Sequence, residues 1–237
     1  MKLTSVFDLE YWLANPRFAL LFAIAPLAML VAAFAFLIIP LTHDRMEWLM
    51  DEDRLVEFMT FVFLFIAGCL ALELARRAWV AGDRVVVIAF YALFAVGCIF
   101  AAGEEIAWGQ HYLDYATPEE WAALNKQGEV TFHNLPWLHG KTELLRLSFG
   151  LGGLIGVWLA GVPFFRNIGA QRALVPWFAV ILGHGVVDLT NDFVSIQAQF
   201  DDDMSSTSEL IEMMIGMTAM FYVSMNFRPY RVASRAP

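Results

Sequence analysis

The stretch VVVIAFYALFAVGCIFAAG at positions 85–103, followed at once by Glu104-Glu105-Ile106-Ala107-Trp108-Gly109-Gln110-His111, decides the fold. It is uncharged until it reaches two adjacent glutamates. A helix needs about 20 apolar residues to cross the hydrocarbon core of a bilayer. Backbone groups placed in hydrocarbon must bond within their own segment, which makes a helix the form for such a run. Similar runs lie on either side. The pattern predicts about six transmembrane helices, at 18–40, 55–75, 85–108, 144–165, 174–193 and 207–227.

These runs use most of the 237 residues, of which 59% are hydrophobic and 16% charged. The expected fold is therefore an all-α polytopic membrane helix bundle. It forms one transmembrane domain over residues 1–237, with an ordered outer loop or lid at about 109–143. Asp8 and Glu10 interrupt the positive region a signal peptide needs, so none is expected. Tyr11 and Trp12 read as an interfacial lead into the first run. Cys69 and Cys98 fall inside apolar runs and read as small packing residues, not a disulfide framework. The formal net charge of −9 goes against a nucleic-acid partner, and its distribution says more than its sum.

Ten of the 15 basic residues fall at one end of the runs: Lys2, Arg17, Arg76, Arg77, Arg84, Arg166, Arg172, Arg228, Arg231 and Arg235. Arg45, Arg54, Lys126, Lys141 and Arg146 fall at the other, together with Asp44, Glu47, Asp51, Glu52, Asp53 and the run Asp201-Asp202-Asp203. By the positive-inside rule, both termini are expected in the cytoplasm, in a bacterial inner membrane.

Orientation gives each ionisable residue a depth. Glu104, Glu105 and His111 end the third run, and His184, Asp188, Asn191 and Asp192 lie toward the outer end of the fifth. Glu212 lies a turn and a half inside the sixth. Gln110, His133, Asn134 and His139 belong to the lid. Charge at such depth is costly and points to function. His184, Asp188 and Asn191, at i, i+4 and i+7, share a helix face that could hold a metal or orient a catalytic histidine. A histidine–aspartate hydrogen bond between helices would explain them equally. If the third helix continues, Glu104, Trp108 and His111 share a face while Glu105 points about 100° away.

Several residues have plainer explanations. Ser206-Thr207-Ser208-Glu209 fits a capping box that starts the sixth helix. Glu57 stands three residues from Arg54, and Glu73 beside Arg76 and Arg77, as local ion pairs. Gly152 and Gly156 fit a small-residue helix-contact face. In the lid, Thr117-Pro118-Glu119-Glu120 reads as a helix start, with Thr117 as cap, and Gly128 as its end.

The series Gly103-Glu104-Glu105-Ile106, Trp108-Gly109-Gln110, Thr117-Pro118-Glu119, Asn125, Gln127-Gly128-Glu129 and His133-Asn134-Leu135 resembles a motif series of a bacterial multi-span membrane protein family of uncharacterised activity. A looser analogy is to alkaline-ceramidase-type membrane hydrolases. That analogy implies zinc held by histidines and an aspartate, although an aspartate stands here where a second histidine would be. Three functions compete. One is a metal-dependent hydrolase of a lipid or lipid-linked substrate, with His184, Asp188 and His111 or His133 on a divalent metal, zinc by ligand type, and Glu104 or Glu105 activating water. The second is an ion- or proton-coupled transporter using Glu104, Glu105, Asp188 and Glu212. The third is a non-catalytic subunit that binds a partner through the lid.

Overall fold

A computed structural model describes residues 13–50, 54–125, 128–132, 135, 142–194 and 198–231. Among them the secondary structure is helical throughout: α1 Pro16–Ile38, α2 His43–Met50, α3 Leu55–Val80, α4 Val85–Glu105, α5 Gln110–Leu113, α6 Glu119–Ala122, α7 Thr142–Leu159, α8 Val175–Val194, α9 Ala198–Met225 and α10 Arg228–Arg231. Four stretches, Pro16–Ile38, His43–Val80, Val85–Glu105 and Arg172–Asn191, are long and apolar enough to cross a membrane. The other two expected runs are also helical, as α7 and α9, but are not among those four. α7 is 18 residues long and starts with Glu143 and Arg146. α9 sits against α3, α8, α1 and α7, and its Ile211, Met214, Ala219 and Val223 are fully buried. A helix enclosed by other helices meets little lipid, so its composition is free to be more polar.

Close approach is what holds these helices together. Along α3, which packs on both α4 and α9, Ala67, Gly68, Ala71 and Ala78 are buried. A Cβ on Gly68 would stand 2.6 Å from Ile99 Cγ1. Between α7 and α8 the contact glycines are Gly150 and Gly153, whose added Cβ atoms would meet Leu182 at 2.8 Å and Phe178 at 2.1 Å. The expected face of Gly152 and Gly156 is therefore corrected. Gly152 has open space around it, and Gly156 meets only Ala170, at 3.5 Å. Phe22, Trp177 and Phe221 join α1, α8 and α9, with ring centroids 5.1–5.4 Å apart, and the Trp177 indole N–H donates to Phe22 O at 3.1 Å.

At the end rich in arginine (the basic end), polar groups close upon one another. Asp83, in the α3–α4 turn, accepts from Tyr230 Oη at 2.6 Å, Asn167 Nδ2 at 2.7 Å and the Arg84 amide at 2.7 Å. Tyr91 donates to Asn167 O, Tyr222 to Ile168 O and Asn226 to Gly169 O. The α7–α8 connection is thereby tied to α4, α9 and α10. Glu73 accepts from both Arg76 and Arg77 at 2.7–2.8 Å, as its spacing predicts.

Candidate functional site

The opposite, acidic end begins where α4 stops. The helix does not continue to Trp108, as the apolar run predicts; it ends at Glu105. Ala107, Trp108 and Gly109 follow with φ of 43°, 55° and 83°. Three successive left-handed residues, two of them not glycine, cannot prolong a right-handed helix, and they mark stored strain. The reversal folds the Trp108 ring over Gly103, where a Cβ would stand 2.8 Å from the ring. It also brings Trp108 Nε1 to Glu104 Oε1 at 2.6 Å.

The second oxygen of Glu104 accepts from the Phe132 amide, also at 2.6 Å. Glu104 is buried and acts as the latch between α4 and the lid. Gln110 donates to Thr117 Oγ1 at 2.8 Å and accepts from the Val130 amide at 3.0 Å. Asn125 donates to Thr131 O at 2.8 Å and accepts from the Glu129 amide. Phe132 packs on Phe100 and Trp121. The motif residues Glu104, Trp108, Gln110, Thr117 and Asn125 thus fold the lid onto α4. Thr117 does not cap the lid helix. Pro118 stands at that position with no side-chain cap, because the Thr117 hydroxyl serves Gln110. The lid also carries an open, mainly apolar groove of about 380 Å³ lined by Pro118, Glu120, Trp121, Leu124, Val130 and Phe132.

Glu105 turns the other way, into the bundle. Its electrostatic neighbours are Glu212, Glu209, Glu57 and Glu104, in falling order of strength. Carboxylates from α3, α4 and α9 are therefore gathered around one residue. The capping-box reading of Glu209 does not hold. α9 starts at Ala198 and runs unbroken through Thr207, whose hydroxyl bonds back to Asp203 O and Met204 O. Acidic residues in the first turns of a helix favour its positive N-terminal end, which accounts for the longer helix. Arg54, the expected partner of Glu57, lies over the Trp48 ring at 5.2 Å.

A second polar group forms where α7, α8 and α9 meet. Arg146, 3% exposed, pairs with Asp188 Oδ2 at 3.1 Å and donates to Ser208 Oγ. His184, 4% exposed, places Nε2 3.1 Å from Thr207 Oγ1, while its Nδ1 has no hydrogen-bond partner among the described residues. The expected shared face on α8 is real, and Asn191 is buried along it. His184 and Asp188 nevertheless do not bond to each other, because Arg146 takes the aspartate and Thr207 the imidazole. Thr207 and Ser208 of α9 meet this group, while Glu209 and Glu212 of the same helix act on Glu105. The two groups share two turns of one helix.

Of the residues expected to form one site, the structure groups Glu105 with Glu212, and His184 and Asp188 around Arg146. Glu104 and Gln110 serve the lid. His133, Asn134 and His139, and the side chains of His111 and Asp192, lie outside the described residues. Among the described residues, no group of three or more His, Cys, Asp or Glu could hold a metal ion. Reading the sequence alone missed Arg146, Thr207 and Ser208. Arg146 offered a signal, since it lies within the first turns of an apolar run, where a charge needs a partner. These features define an all-helical bundle of membrane-spanning composition with a lid latched to α4 and two polar groups at the acidic end. No family model, curated protein or solved structure matches the chain.

Proposed function

We propose that the protein is an ion- or proton-coupled membrane carrier whose working group is Glu105. The reading rests on one observation: the charges that act on Glu105 come from four carboxylates. Like charges held together in a poorly solvated place repel, and a shared proton or a bound cation relieves them. Such a site takes up and releases a positive charge as its surroundings change, which is the step a coupled carrier needs. Toward the basic end, buried Thr218 and Tyr222 of α9, and Asn226 just past its end, stand at i, i+4 and i+8, each donating to a main-chain carbonyl.

In this reading the chain crosses a bacterial inner membrane six times. Both termini are cytoplasmic, and the carboxylates and lid face outward among membrane lipids. The test is reconstitution into liposomes under an imposed pH or sodium gradient, with flux followed by an internal dye. Wild type is expected to exceed protein-free vesicles, and Glu105→Gln to fall to their level. Wild-type flux no greater than that of empty vesicles overturns the reading.

The lid's apolar groove favours a second reading, a metal-dependent hydrolase of a lipid or lipid-linked substrate. Its divalent ion, zinc by ligand type, would need His111 or His133 beside His184, with Glu105 activating water, since Glu104 and Asp188 are already engaged. Stoichiometric zinc in the purified protein would favour it over the carrier.

A further inference from the structure

We propose that the groove of the lid seats an acyl chain of a membrane phospholipid whose headgroup carries an ammonium group. This rests on neither the carrier nor the hydrolase reading. α4 is long and apolar enough to cross a membrane, and one side of it is closed by its neighbours, with Tyr91, Ala95 and Ala102 fully buried. Val86, Leu93 and Phe100, seven residues apart, and Val96 between the last two, are exposed. That spacing is one face of a helix, and on a spanning helix an apolar face left open by the protein meets hydrocarbon.

The open face does not stop where α4 does. Phe100 packs on the Trp108 ring at 5.4 Å and on Phe132 at 5.7 Å, and Phe132 packs on Trp121 at 5.1 Å. Phe132 and Trp121 also line the groove, so touching rings join the lipid-facing side of α4 to a groove of about 380 Å³. That volume lies within the usual range of ligand sites. Leu124 and Phe132 are exposed in its lining, and contiguous exposed apolar surface marks contact with lipid or a partner. Charge selects the headgroup. Among the described residues that line the groove, Glu120 is the charged one, and it is exposed. Asp114, Glu119 and Glu129 add negative charge to the lid, whose described residues include no lysine or arginine. An ammonium headgroup is attracted there and an anionic one repelled.

The test is photolabelling of the full chain in vesicles of equal parts phosphatidylethanolamine and phosphatidylglycerol. A trace of one lipid or the other carries a photoactivatable group on its acyl chain, and labelled peptides are mapped by mass spectrometry. Both probes are expected to label the open face of α4 equally, as bulk lipid does. At Trp121, Leu124 or Phe132 the ethanolamine probe is expected to exceed the glycerol probe roughly two- to fivefold, the scale of one exposed ion pair. Glu120→Gln should remove that preference and keep the labelling. Leu124→Arg, which sets a charged side chain in the groove, should lose lid labelling and leave α4 labelled. If α4 labelling falls too, Leu124→Trp, which fills the groove with apolar bulk, takes its place. A lid that neither probe labels, as when a second copy of the chain covers it, overturns the proposal. So do equal lid labelling by both probes, a preference that survives Glu120→Gln, and lid labelling unchanged by the Leu124 variants.

Discussion

The two ends of this bundle handle burial of polar groups in opposite ways. At the basic end, Asp83 takes three donors, and Tyr91, Tyr222 and Asn226 each find a carbonyl of the α7–α8 connection. Donor meets acceptor, and the result is a staple. At the acidic end, carboxylates act on a carboxylate, and a buried imidazole nitrogen has no partner among the described residues. Polar groups buried for stability are matched, because an orphan costs about 1–3 kcal/mol. Where a buried polar atom such as His184 Nδ1 meets no partner among the described residues, the cost points to a water or ligand that completes it.

The sharpest challenge to this contrast is Arg146, which lies at the acidic end yet makes a staple of its own. Arg146→Met is expected to cost about 3–5 kcal/mol, because it removes the guanidinium from a mostly buried Asp188. Adding Asp188→Leu should restore most of the loss, since an apolar pair can replace a buried ion pair. Chemical unfolding in detergent reads both, and a double variant no better than the single would show that the pair does more than compensate charge.

Asp83→Ala comes next, at about 2–3 kcal/mol, since it leaves Tyr230 and Asn167 without their acceptor. The same residue sets a pH dependence. Burial pushes the Asp83 carboxyl up, but the bonds from Tyr230, the Arg84 amide and Asn167, with the Arg84 charge, hold it below the ordinary value of 3.8. A group depressed in the folded state contributes stability above its ordinary value and loses it as pH falls through the folded one. The difference in melting temperature between wild type and Asp83→Asn should therefore shrink as pH is lowered below 3.8.

Glu104→Gln should act locally and least. It weakens the latch by about 1–2 kcal/mol, speeding hydrogen exchange at the Phe132 amide roughly tenfold with little change in global melting. An unchanged exchange rate would remove Glu104 from the latch.

The six apolar runs were readable because lipid and core demand the same composition over the length of a span. All six are helical, although the polarity of α9 hides its central place. Glu105 and Glu212 were also legible, since a carboxylate in an apolar run announces itself. The roles of Glu104 and Trp108 were not. Adjacent glutamates look alike in a sequence, and only the left-handed turn at Ala107–Gly109 sends one to the lid and leaves the other in the bundle. Thr207 misled for a similar reason: a Ser/Thr-rich stretch before a glutamate has the form of a cap, and the preceding aspartates extend the helix past it.

What the chain determines by itself is local: where helices form, which end is acidic, and which depths hold charge. These follow from hydrophobic length and charge placement, which need no neighbour. Partnership was decided only in three dimensions. That Asp188 answers Arg146 and not His184, and that Thr207 and Ser208 of α9 meet that group while Glu212 acts on Glu105, depends on which helices stand beside each other. Hydrogen bonds and ion pairs act over a few ångströms, and the spacing of residues along the chain does not encode that distance.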